Sequence, residues 1–235
     1  MNNKLTRTSS SISTVIPSIR PEKTRRNLTF LLSCSVTPAE IIVVSDGHHN
    51  EFAEICKEFG VIHLVNEGRM QHNARLTGAK HVRTEFVHFL DDDDYVNHSF
   101  YEVMEKHLIP ECVALCLPAC TGYGGKNGIS YFGRRRTMMA CNISCHVYST
   151  KQILKVLESS HVDFYTSNEN FLYFYRNLIE NKPTPIFVQG AKVIRGDTGI
   201  KKWPHDFTEE LRNEWETAMN APHEDTGEYY IAFVS

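Results

Sequence analysis

Glu85-Phe-Val-His-Phe-Leu-Asp-Asp-Asp-Asp94 is the stretch on which the reading of this chain turns. Its apolar part, 86–90, has the length and continuity of a strand covered on both faces. Asp91, Asp92, Asp93 and Asp94 end it, and adjacent carboxylates repel one another strongly where water is scarce. A divalent cation relieves that repulsion. Mg2+ and Mn2+ prefer oxygen ligands and are commonly held by one or two carboxylates together with substrate phosphates. An acidic cluster by itself is more often a solvated loop, so the weight falls on what surrounds it.

Upstream, apolar runs alternate with helical patterns. A strand at 14–16 is expected to end at Pro17, and a helix over 22–34 puts Leu28, Leu31 and Leu32 on one face. The run 40–44, β-branched and apolar from Ile41 on, reads as a strand covered on both sides, and it stops at Ser45-Asp46-Gly47. A helix over 50–59, a strand over 61–65, a helix over 69–82 and the strand 85–90 complete the series. This order predicts an α/β fold with a mostly parallel, Rossmann-like central sheet and helices on both faces. Ligands of such sheets bind at the carboxyl ends of the strands. Pro17, Ser45-Asp46, Asn66 and Asp91 to Asp94 all fall there, so separate loops converge on one crevice.

Downstream the pattern changes. A helix over 98–107 leads to a strand at 112–117, and the glycine-rich 121–128 reads as a flexible loop or hairpin. Arg134-Arg135-Arg136, an apolar stretch near 138–148, helices over 150–159 and 168–181, and a charged helix from 206 that Pro222 ends complete the chain. The expected organisation is a mobile tail at 1–12, one domain over 13–205 with its halves meeting at 110–111, and a helical extension over 206–235.

The 235 residues carry a net charge of -3, which gives no global electrostatic case for nucleic acid or an anionic membrane. No apolar stretch approaches the roughly 18 residues of a membrane-spanning helix. The first thirteen residues lack the apolar region of a secretory signal, so a cytoplasmic protein is expected. The seven cysteines are expected to be reduced, buried hydrophobes. Cys112, Cys116 and Cys120, and then Cys141 and Cys145, step by four in segments that read as strands, which places them on one face rather than in a zinc pattern.

With these residues in order, the chain resembles the GT-A glycosyltransferases of the family 2 type. The resemblance runs through Thr14-Val-Ile-Pro-Ser-Ile-Arg-Pro-Glu22, Glu40-Ile-Ile-Val-Val-Ser-Asp-Gly47, Asn66-Glu-Gly68, Ala74-Arg75, Gly78-Ala79 and Phe89-Leu-Asp-Asp-Asp-Asp94. It is strongest over 13–110, looser over 141–200 and undetectable in the last thirty-five residues. It implies a metal-dependent transfer of a sugar from a nucleoside diphosphate donor, a UDP-sugar above all, to the hydroxyl of a glycan or lipid-linked saccharide, with inversion. Pro17 and Arg20 would border the base and Asp46 would accept from its imide N–H. Arg75 would hold the base or diphosphate, although as a residue it reads equally well as part of a helix surface. The DxD motif falls on Asp91 to Asp93. Asp92 would face the ribose, and Asp93, with Asp91, would hold Mn2+ or Mg2+. Asp94 is expected to cap the following helix.

The resemblance places the catalytic base at residue 170, six before Arg176, but Asn170 stands there and cannot take a proton near neutral pH. Glu169 next to it, and Asp163 before it, are the candidates. His205 is a further candidate metal ligand in a loop that closes over the donor. Two alternatives follow: a nucleotide-sugar-binding module with impaired catalysis, because of Asn170, and transfer to a non-saccharide acceptor such as a modified DNA base, because of Arg134 to Arg136. A nucleotidyltransferase is disfavoured, because Pro17-Ser-Ile-Arg-Pro21 has no glycine with which to cradle phosphates.

Overall fold

The computed structural model describes residues 9–121, 129–130, 143–159, 173, 177 and 180–195. Parallel strands β1 (Ile12–Ser18), β2 (Glu40–Ser45) and β3 (Ile62–Val65) are joined by helices α1 (Pro21–Ser33) and α2 (His49–Phe59). Helix α3 (Met70–His81) then carries the chain back across the sheet, and β4 (Phe86–Phe89) enters on the other side of β1. The strand order therefore reverses between β1 and β4, and crevices at such switch points are where open α/β sheets bind ligands.

Beyond β4 the chain makes β5 (Asp94–Val96), α4 (Phe100–Glu105), β6 (Cys112–Thr121), β7 (Ile129–Ser130), β8 (His146–Ser149), α5 (Thr150–Ser159) and β9 (Thr184–Arg195). The sheet order is β3-β2-β1-β4-β8-β6-β9-β5, with β7 paired to β6. Strand β8 runs antiparallel to both β4 and β6, and β5 antiparallel to β9, so a parallel half meets a mixed one. Among the described residues no helix is long and apolar enough to cross a membrane.

Alternation along the strands builds two cores. Ile41 and Val43 of β2 face Leu28 and Leu31 of α1 and Phe52 and Ile55 of α2. Ile42 and Val44 face Ala74 and Ala79 of α3, with Ile153 and Val156 of α5 in the same layer. Thr14 and His88 are polar residues in the middle of the sheet, and α4 satisfies them. The Tyr101 hydroxyl lies 2.7 Å from Thr14 Oγ1 and 3.1 Å from His88 Nδ1, while the other ring nitrogen of His88 donates to the Ser144 carbonyl at 2.7 Å.

Several expectations need correction. Pro17 does not end β1, which runs to Ser18. Its missing N–H faces the β4 side, where pairing stops at Val15↔Phe89, so no ladder bond is lost. The strand expected over 61–65 starts at Ile62, and as β3 it is the sheet edge with Ile62 and Val65 exposed. Asp94 caps no helix: its backbone pairs with Arg195 in β5, and α4 starts only at Phe100. Cys145 lies in a 3-10 turn, Ile143–Cys145, rather than a strand. Cys112, Cys116 and Cys145 do share one core, as free thiols.

Candidate active site

The site begins where β4 runs out beside β1. The Leu90 amide donates to the Val15 carbonyl at 3.0 Å, the last tie to the sheet. The next four residues close a turn, with the Asp94 amide donating to the Asp91 carbonyl at 3.0 Å. Two side chains fix it from opposite sides. The Nδ2 of Asn27, fully buried on α1, donates to the carbonyls of Asp91 (3.1 Å) and Asp94 (2.9 Å). Ser144 Oγ accepts from the Asp91 amide at 3.1 Å, and its own carbonyl is the group that His88 holds. Backbone so pinned leaves the carboxylates little freedom to relieve their repulsion by moving apart.

Instead, cations arrive from two helices. Asp91 Oδ1 accepts from Arg75 Nη2 and Gln71 Nε2, both at 2.9 Å, one turn apart on α3. Arg75 is almost wholly buried and stacks 5.9 Å from the Tyr173 ring, so the surface alternative for it falls. Tyr173 in turn meets His72 Nδ1 through its hydroxyl. Burial, and the charge of Arg75, hold His72 below the ordinary histidine pKa.

Asp92 turns inward and takes Arg20 with both oxygens, and the Ser18 hydroxyl also donates to it. Burial pushes its carboxyl above the usual range, against the pull of Arg20 and Ser18. Burial also works against the Arg20 charge, but hydrogen bonds and attraction from Asp92 and Asp93 outweigh it and raise the guanidinium further above its usual value. Asp93 stays nearer the rim, its Oδ2 accepting from Arg20 Nη2 at 3.0 Å and from Lys23 Nζ at 3.3 Å.

A second lip forms at the end of β2. Asp46 Oδ2 accepts from the Met70 amide at 2.8 Å, across the mouth from β2 to α3. Gly47 (φ 118°), His48 (φ 49°) and Met70 (φ 70°) bend the backbone into this shape, the two L-residues at a local cost. Ser45 is buried, with His49 Nδ1 at 2.8 Å and His63 Nε2 at 2.9 Å from its hydroxyl. Ile19, Val65 and Met70 expose apolar surface around the same mouth.

Of the residues picked out from sequence, Arg75 holds Asp91 while Arg20 holds Asp92 and Asp93, two hydrogen-bonded groups on one turn, and Pro17 and Asp46 stand at the ends of neighbouring strands. Arg20 is turned to the acids. Asp163, Glu169, Asn170, Arg134 to Arg136, Arg176 and His205 lie outside the described residues. Among the described residues, no three His, Cys, Asp or Glu side chains converge as a metal site. Sequence reasoning missed Ser18, Lys23, Asn27, Gln71 and Ser144. Lys23 and Asn27 share a face of α1 at i, i+4, just after Arg20 at its N-cap, and Gln71 and Arg75 share a face of α3 at i, i+4, so periodicity held a signal. Nothing in the sequence points to Ser144.

A switch-point crevice, with carboxylates at the ends of parallel strands held by Arg20 at the N-cap of α1 and Arg75 on α3, fits the GT-A type that the sequence resembles. The model of the family described as Glycosyl transferase family 2 matches residues 15–198, and the chain belongs to that family. It is 25% identical over 127 residues to glycosyltransferase GlyA of Streptococcus pneumoniae serotype 4, across 52% of this chain and 18% of that protein. It is 34% identical over 79 residues to the uncharacterized glycosyltransferase EpsJ of Bacillus subtilis, across 31% of this chain and 22% of that protein. The chain thus spans about a fifth of the length of these relatives. The crystal structure of S. aureus TarS 1–349 shares the fold at a TM-score of 0.55 with 18% identity, over 79% of this chain and 58% of that one. The same protein in complex with UDP gives a TM-score of 0.53 at 17% identity.

Proposed function

We propose that this chain takes a sugar from a nucleoside diphosphate donor, UDP-linked, and transfers it with inversion to a hydroxyl of a glycan or lipid-linked saccharide. The observation that carries this reading is the Asp91 to Asp94 turn, held at the switch point by Arg20, Lys23 and Arg75. Family membership and the UDP complex of TarS support it.

In this reading Asp46 uses a carboxylate oxygen to accept from the base imide, beside Pro17, Ile19 and Met70. Asp92 receives the ribose, already oriented by Ser18 and Arg20. Arg75 fixes Asp91 from within the fold, and its buried charge attracts the diphosphate. Asp91 and Asp93 keep side chains partly open to solvent, 17% and 18%, whereas Asp92 has 5%. That fits Mn2+ or Mg2+ held by one or two carboxylates and completed by phosphate oxygens, with His205 a further candidate ligand. Such an ion supplies positive charge to a departing diphosphate. The acceptor oxygen bonds to the anomeric carbon as the bond to the phosphate oxygen breaks, and the hydroxyl proton passes to Glu169 or Asp163.

Metal-dependent release of nucleoside diphosphate from a panel of nucleotide sugars, beside Asp93→Ala, tests this. One donor hydrolysed slowly by the wild type and not by the variant is expected. No metal-dependent binding of any donor sinks the reading. Asn170 favours one alternative, a donor-binding module without turnover, in which donors bind, none is consumed with any acceptor, and Glu169→Gln changes nothing.

A further inference from the structure

Met70 opens α3 with its backbone in the left-handed region, at φ 70°, where an L-residue is strained. Hydrogen bonds hold that strain in place from both sides. Asp46 Oδ2 accepts from the Met70 amide at 2.8 Å, and Asn66 Nδ2 donates to the Met70 carbonyl at 3.1 Å. Asn66 is set in turn by the Gly68 amide, which donates to its Oδ1 at 3.1 Å, and the Glu67 amide donates to the buried Thr77 hydroxyl at 3.2 Å. Yet the side chain so carefully placed is not packed: Met70 is 44% exposed at the mouth of the crevice. The next residue, Gln71, reaches Asp91, so the start of α3 spans the crevice from the lip of β2 to the acid turn. Backbone strain that neighbouring groups enforce, and that gains no packing within the fold, points to a ligand.

We propose that this strained turn seats the Met70 side chain against the face of the donor's base. The inference rests on the reading in which Asp46 accepts from the base imide. One carboxylate then holds both the Met70 amide and the imide, which puts the two nitrogens within about 8 Å of each other. A methionine side chain is unbranched, turns about three bonds, and brings a thioether that makes favourable contacts with aromatic rings. Glycine is the residue that this backbone prefers, but it has no side chain with which to cover a base. Met70 is thus a binding residue whose backbone lowers the stability of the free protein and whose side chain raises its affinity for the donor.

Calorimetric titration of the full chain with UDP in the presence of Mg2+, beside urea denaturation, tests this. Met70→Ala keeps the strain and loses the cover, so UDP affinity should fall roughly three- to tenfold while the urea midpoint changes little. Met70→Gly should weaken UDP binding to the same extent yet raise the midpoint by roughly 0.2–0.5 M, because glycine adopts this φ freely. Met70→Leu, apolar and of similar size, should restore most of the affinity that alanine loses. A Met70→Ala affinity equal to that of the wild type overturns the contact with the base, and a Met70→Gly midpoint that stays or falls overturns the strain. Asp46→Asn separates these failures from failure of the underlying reading, since it keeps an acceptor for the Met70 amide but presents a donor to the imide. If that variant binds UDP as tightly as the wild type, or if the wild type binds no UDP, the donor-site reading falls together with the inference.

Discussion

Replacing Gly78 by alanine should lower stability and loosen the acid turn at once. Gly78 lies in α3 where the helix presses on the sheet. A Cβ there would stand 2.3 Å from Val15 Cγ1 and 3.1 Å from both Val15 Cγ2 and Val44 Cγ2. The first distance is more than 1 Å inside ordinary carbon contact of roughly 3.5–4.0 Å. Val15 and Val44 are fully buried and β-branched, so neither can swing aside. The helix has to lift instead. Overpacking of this kind costs about 1–3 kcal/mol, and the better helix propensity of alanine returns somewhat under 1. The net expectation is a loss of about 1–2 kcal/mol, close to 0.5 M in urea midpoint at an m-value of about 2–3 kcal/mol/M. Arg75 and Gln71 lie one and two turns before Gly78. A lift of about 1 Å carries their 2.9 Å contacts with Asp91 past hydrogen-bonding reach. Urea denaturation followed by circular dichroism, with UDP affinity measured beside it, reads both effects. A midpoint that stays or rises, as alanine for glycine in an ordinary helix would give, refutes the reasoning.

Arg75→Met should cost about 2–3 kcal/mol, less than a fully buried pair because Asp91 keeps some contact with water, and should weaken UDP binding; denaturant titration and calorimetry check the two. Asn27→Asp places a fifth carboxylate against the carbonyls of Asp91 and Asp94, where the amide had donated to both. A loss of about 2–4 kcal/mol is expected in the same titration, and a near-neutral result would mean that the clamp is dispensable. His88, fully buried, is pushed down to about 4 from 6.5, chiefly by burial. Its contribution is therefore whole above pH 6.5 and is lost as pH falls towards 4, amounting to about 3 kcal/mol in full. His88→Gln should flatten that part of the pH–stability curve even while lowering its plateau.

The sequence displayed what is set by single elements and hid what is set between them. Strand β2 was readable because four β-branched apolar residues in a row have few other fates, and α1 because its leucines keep one face. β1 was cut short at Pro17, since whether a missing N–H matters depends on which neighbour it faces, and that is known only once the pairing is. Strand β3 was readable as a strand, but side-chain type says little about position in a sheet, and only the strand order puts it at the edge. Arg75 was balanced between surface and site, for a charge reveals its burial only when its partner is placed. Asp94 followed the same logic: five residues separate it from the helix it was expected to cap, and its place is fixed by Asn27 at the end of the acid turn and by the pairing of β5 with β9.

The acid turn carries a more general consequence. Repulsion among four carboxylates argued for a metal when only the sequence was in view. In the folded chain Arg20 and Lys23 meet Asp92 and Asp93, Arg75 and Gln71 meet Asp91, and Asn27 and Ser144 hold the backbone between them. The protein's own groups already balance much of the charge, so repulsion by itself is no longer an argument for an ion. What leaves room for an ion is narrower: Asp91 and Asp93 keep side chains partly open to solvent, where phosphate oxygens could share an ion with them, whereas Asp92 is closed in by Arg20 and Ser18.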